Sequence, residues 1–187
     1  MQPEEPLDAG ALARGIAAML RGLEPGHLAV LRRMDDSGAP AFWRLAAKHG
    51  AIRHDINTLR AITRILAILT PKGRPEDRPR VVHHIPLGRA LCDGGDPGWK
   101  PRDPTQPDGV VNERRLAAFL ATHGAARRVA LERLMRALAT SLPADCQVSP
   151  ADLAFAVLAD ADPQNRIARD YYARLDSRFA DKEVHDD

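Results

Sequence analysis

Aromatic side chains make up only 4% of this 187-residue sequence, and lysine is rarer still, with 4 Lys against 23 Arg. A core poor in aromatic and β-branched residues does not favour a pleated-sheet fold. Leu, Ala, Ile and Val must fill the interior instead, a mixture that favours helices. The 2 cysteines, Cys92 and Cys146, are too few for a disulfide framework. They also lack the neighbouring ligands of a zinc site, so they read as small core residues in a reducing cytoplasm, with one bridge between them as the alternative. No run of about 18 apolar residues occurs, so no membrane span is expected. The opening MQPEEPLDAG is acidic and has no apolar centre, so it does not read as a signal peptide.

Motifs for chemistry are missing as well. The sequence has no GxxxxGK[ST] phosphate loop, no GxGxxG after a strand, no GxSxG elbow and no HExxH pair. His83 and His84 are adjacent, and on an extended segment their rings point to opposite sides, which suits an ordinary loop better than a metal site. Asp35-Asp36 has no third carboxylate nearby in sequence and reads as a helix end or turn. Convergent carboxylates of the kind nucleases use are not apparent. The expectation is a binding protein, not an enzyme, with no cofactor, no metal and no catalytic residue.

What is present is helical pattern and positive charge. Hydrophobic residues reach 44%, enough for a packed interior. Leu12, Ile16, Met19, Leu20 and Leu23 mark one amphipathic helix, and Leu59, Ile62, Ile65, Leu66 and Leu69 another, with Asp55 as its N-cap and Pro71 as its stop. Phe42 and Trp43 read as core in a helix opened by Pro40 and closed by Gly50. Val81 to Ile85 reads as extended, and Pro86 starts a short helix. Val129, Leu131, Leu134, Met135 and Leu138 line a helix of the second half. Ser149-Pro150-Ala151-Asp152 and Asp162-Pro163 signal two more helix starts. The fold class is therefore all-α, a compact helical bundle that divides into two helical lobes, 1–92 and 111–187, about a Pro/Gly-rich loop or insertion at 93–110. Trp99 in that loop, beside Lys100 and Arg102, stacks on a base or a partner, or else pins the loop.

Residues 32–136 hold 20 basic and 11 acidic side chains, whereas residues 137–187 hold 5 basic and 10 acidic. A basic middle beside an acidic tail points to a polyanionic partner for the middle. Arginine suits phosphate because its fork bonds two oxygens at once, although a GC-rich coding sequence also favours arginine codons. The cations cluster at Arg32-Arg33, at Arg53, Arg60 and Arg64, at Lys72, Arg74, Arg78 and Arg80, at Arg89, and at Arg114-Arg115, Arg127-Arg128, Arg133 and Arg136. Scattered cations of this kind bind phosphate without reading sequence. Solvated helix faces balanced by Asp55, Glu113 and Glu132 are the alternative.

Five segments occur in a recognisable order: Leu31-Arg32-Arg33, Pro40-Ala41-Phe42-Trp43-Arg44-Leu45, Leu87-Gly88-Arg89-Ala90-Leu91, Asn112-Glu113-Arg114-Arg115-Leu116 and Leu131-Glu132-Arg133-Leu134. Together they resemble the CasB-type small subunit of Cascade, the type I-E CRISPR surveillance complex, over about residues 28 to 138. The resemblance implies an all-helical, non-catalytic, cytoplasmic subunit. Its implied partners are CRISPR RNA, the target and displaced DNA strands, the other Cascade subunits and a second copy of itself. It places nucleic-acid-facing cations at Arg33, Arg53, Arg115 and Arg133, and basic positions also at Arg32, Arg114, Lys72, Arg74 and Arg89, the last with a structural pairing as its alternative. A stand-alone helical DNA-binding regulator and a purely structural adaptor are the competing readings.

Overall fold

The structure, a computed structural model, describes residues 8–48, 55–99, 109–159 and 165–183. Among these residues there are nine α-helices and two short strands, so the protein is a mainly all-α fold. None of these helices is long and apolar enough to cross a membrane. The chain forms two units, one of residues 1–78 with 150–158 and one of residues 79–149 with 159–187. These bounds differ from the 1–92 and 111–187 lobes: the chain passes from one unit to the other after Arg78, and the 150–158 helix packs with the N-terminal helices.

The first unit holds α1 (Ala9–Arg21), α2 (Pro25–Arg32), α3 (Pro40–Lys48), α4 (Ile56–Leu69) and α8 (Pro150–Leu158). Asp8 caps α1 by accepting from the Ala11 amide at 2.9 Å. Ala13, Ile16, Ala17 and Leu20 form its buried face, and small residues there let α8 pack closely. Asp55 caps α4 as its sequence suggests, accepting from the Asn57 amide at 3.0 Å and from the Thr58 hydroxyl. Its buried stripe includes Leu59, Ile62, Ile65 and Leu66, and α4 packs on α1, α2 and α8. Phe42 on α3 is fully buried, but Trp43 is 44% exposed, which corrects its assignment to the core. One residue is 100° of helix, so two adjacent aromatics cannot share an inward face. Gly50 and Arg53 lie outside the described residues.

The second unit holds β1 (His83–Ile85), α5 (Leu87–Asp93), α6 (Glu113–Leu120), α7 (Gly124–Leu138), β2 (Cys146–Val148) and α9 (Arg166–Glu183). The strands pair in parallel, His83 opposite Cys146 and Ile85 opposite Val148. Helix α5 crosses α9 very closely: a Cβ on Gly88 would stand 2.2 Å from the Ile167 carbonyl oxygen. The stretch from Gly94 is anchored at both described ends. Gly94 turns the chain with φ of 66°, and the Val110 and Val111 amides donate to the Cys92 and Leu91 carbonyls at 2.9 Å each. Lys100, Arg102, Asp162 and Pro163 lie outside the described residues. Asn112 caps α6 through the Arg115 amide at 2.9 Å.

Helix α7 departs from its apolar reading. Leu131, Leu134, Met135 and Leu138 are buried, but Val129 is 51% exposed and Arg127 is buried in its place. Spacing decides this, because 127, 131, 134, 135 and 138 follow one helical face and 129 does not. Arg127 lies over the Phe119 ring, 4.5 Å from its centroid, and donates to the Thr122 carbonyl at 3.4 Å. Cys92 and Cys146 are buried thiols outside any disulfide, as core residues should be.

Candidate nucleic-acid interface

A surface that grips phosphates needs cations that reach solvent and are not already neutralised. Several arginines of the basic middle do not meet that requirement, because they hold helix ends. Arg78 is buried and donates through Nη1 to the Leu20 and Arg21 carbonyls and through Nη2 to those of Leu23 (2.6 Å) and Gly73 (2.8 Å). It thus gathers the carbonyls at the C-terminus of α1, where a positive charge also opposes the helix dipole. Arg32 does the same for α4, with Nε 2.8 Å from the Ala67 carbonyl and Nη2 2.7 Å from that of Thr70. Burial first, and then the charge of Arg78, hold the Arg32 pKa below its ordinary value. Arg60 is folded over Phe42, 5.9 Å from the ring centroid, and lies 3.6 Å from Asp36.

Arg33, the next residue after Arg32, is exposed, and its Nε reaches only the Ala29 carbonyl of its own helix at 3.2 Å. The bond from Arg32 to Thr70 draws the end of α2 up to the loop that carries Lys72 and Arg74, both exposed. Glu76 and Asp77, also exposed, follow in a 3-10 turn. Arg44 and Lys48, which sequence reasoning passed over as part of a core helix, stand exposed on α3.

In the second unit, Arg89 is turned towards Asp93, with Nε 3.2 Å from Oδ2. The Asp93 side chain is fully buried, and its carboxylate also accepts from Arg174 Nε and from the Gly95 amide at 2.7 Å. Arg89 is thus ion-paired within the fold, with part of its side chain still exposed. Arg114 and Arg115 in the first turn of α6 and Arg133 on α7 are exposed. Helices α6 and α7 pack together, so these three cations belong to one helical pair. Glu132 is held by Arg136, whose Nη2 lies 2.8 Å away. Among the described residues, no group of three or more His, Cys, Asp or Glu side chains is arranged to hold a metal ion.

Of the cations singled out in sequence, the structure thus leaves Arg33, Lys72 and Arg74 open in one unit and Arg80, Arg114, Arg115 and Arg133 open in the other. The chain matches no protein-family model, no curated protein and no solved structure.

Proposed function

We propose that this chain binds nucleic-acid backbone without catalysing a reaction, as the small subunit of a type I-E CRISPR Cascade complex. In that role it steadies the pairing of CRISPR RNA with target DNA and holds the displaced strand. The observation that carries the reading is the set Arg114, Arg115 and Arg133: exposed on two packed helices, with no ion pair to an acidic side chain among the described residues. Cations left unneutralised in this way cost little to bring onto phosphates, and they bind without base readout. Sequence specificity in RNA-guided recognition comes from base pairing, so a subunit with this surface needs no groove-reading element. The collinear segments from Leu31 to Leu134 support the more specific assignment.

The test is affinity purification of the tagged chain from its host, with mass spectrometry of bound proteins and sequencing of bound RNA. Co-recovery of other Cascade subunits with a uniform, repeat-flanked small RNA is expected. Recovery of a single genomic duplex site would overturn the assignment in favour of a stand-alone regulator. Recovery of protein partners without nucleic acid would overturn it in favour of an adaptor.

A further inference from the structure

Helix α3 carries an exposed tryptophan on a face that also holds exposed cations. Pro40, Trp43, Arg44, Ala47 and Lys48 are exposed and follow one another at helical spacing, while Phe42, Leu45 and Ala46 point inward. The face therefore consists of one large ring, two cations and small residues, and no acidic residue lies on the helix. Trp43 is held firmly although 44% of it is exposed. Its ring packs edge-on to buried Phe42, with centroids 5.1 Å apart and planes at 64°. Its other support is the backbone of Gly38, where φ is 80° and an added Cβ would meet the indole Nε1 at 2.9 Å. Two acidic residues, Asp35 and Asp36, precede the helix in the turn that carries Gly38. Asp35 accepts from the Ser37 amide and hydroxyl, bonds that lower its pKa, and Asp36 lies 3.6 Å from Arg60.

We propose that this face of α3 is a stacking platform for an unpaired base of a single strand, with Trp43 under the base and Arg44 and Lys48 meeting the flanking phosphates. Arg44 and Lys48, four residues apart, form one row on the helix. At about 3.6 residues per turn that row runs roughly 100–140° round the axis from Trp43, with Pro40 and Ala47 between, so the cations flank the ring on one side. Indole offers a π-face to any base, which gives affinity without sequence preference. A protein-docking anchor usually sits within a ring of further contacts that exclude water, and among the described residues of this helix face only Ala47 and Pro40 join Trp43 as apolar positions. Charge and ring together therefore favour a single strand over a protein. This inference rests on the nucleic-acid reading above and names a part of the surface which that reading leaves out.

The test uses the full chain with Trp99→Phe, so that Trp43 is the sole indole. Binding of a fluorescein-labelled dT15 strand is followed by anisotropy, and Trp43 emission is measured on titration with the unlabelled strand. An abasic strand of equal length and charge serves as the comparison. The expected result is quenching of Trp43 by dT15 and little quenching by the abasic strand. Trp43→Leu should weaken dT15 binding by roughly 5- to 150-fold, leave abasic binding unchanged, and be largely rescued by Trp43→Phe. If dT15 binds with unchanged Trp43 emission and Trp43→Leu binds as tightly as the parent, the platform is wrong while the backbone reading stands, and the ring faces a protein. If neither strand binds, both readings fall. The emission measurement keeps residue 43 intact, so it does not depend on how the Trp43→Leu chain folds.

Discussion

Asp93 is the most demanding residue in the second unit. Its carboxylate is removed from solvent and held by two guanidinium groups and one amide. Removing one member of such a buried set strands the charges that remain, at a cost of about 3–5 kcal/mol. Asp93→Ala is therefore expected to lower the melting temperature sharply, as read by circular dichroism. Arg89→Ala tests the choice between its two roles. A structural arginine moves the melting temperature and leaves nucleic-acid affinity nearly unchanged, whereas a phosphate-binding arginine does the reverse; the bond to Asp93 predicts the first outcome. Cys146 gives a pH-dependent prediction. Burial, and after it the nearby Asp145 charge, push its thiol pKa up, and its sulfur lies 3.8 Å from the Gly95 carbonyl oxygen. The unfolded chain ionises this thiol near its ordinary value, about 8.5, while the folded chain keeps the proton. The unfolded state then binds fewer protons, so this stabilisation is complete below that value and is lost as pH rises beyond it. Urea midpoints should fall above pH 8.5, and the fall should be smaller in Cys146→Ala. An identical slope in both proteins would remove Cys146 as the cause.

At the scale of elements, the segments that look like motifs owe much of their residue choice to folding. Gly88 is the clearest case: no side chain fits between α5 and α9, because even a methyl would collide with the Ile167 carbonyl oxygen and with the Tyr171 amide nitrogen at 2.9 Å. Gly88→Ala must separate the two helices, so we expect a loss of about 2–4 kcal/mol, beyond the 1–3 kcal/mol usual for overpacking because the obstacle is backbone. Denaturant unfolding checks this, and a neutral effect would mean that α9 shifts at little cost. The same scale shows what a sequence exposes and what it hides. The helix starts at Asp55, Pro40 and Pro150 were legible, because a cap bonds an amide two residues on and a proline at the first helical position fixes its own φ. The roles of Arg32 and Arg78 were not, since all their carbonyl partners but Gly73 lie 35 to 58 residues from them, and pattern along the chain carries no trace of such bonds. Val129 and Arg127 exchanged expected places for a related reason. Hydropathy ranked the valine as core, while helical phase placed the arginine there, and a guanidinium can be buried when a ring and a carbonyl receive it. Trp43 was misplaced by the same reliance on hydropathy over phase.

For the whole molecule, net charge is a poor guide to binding. The chain carries only +2 overall, and part of its basic middle is committed to helix ends and buried pairs through Arg32, Arg78, Arg89 and Arg127. What a polyanion meets is the remainder, and salt dependence measures that remainder directly. Each phosphate neutralised adds about 0.7 to the slope of log affinity against log salt for a single strand and about 0.9 for a duplex. Arg114 and Arg115 are exposed, so replacing both with Glu should leave stability within about 0.5 kcal/mol per site. If both meet phosphate, the change should also lessen the slope by roughly 1.4 on a single strand or 1.8 on a duplex. The measurement is anisotropy of a labelled strand across a salt series, with a thermal melt of each protein alongside. Weaker binding with an unchanged slope would mean that the acidic pair acts at a distance, and that these two arginines do not meet phosphate. A smaller slope with an unchanged melt would place the contact on the first turn of α6.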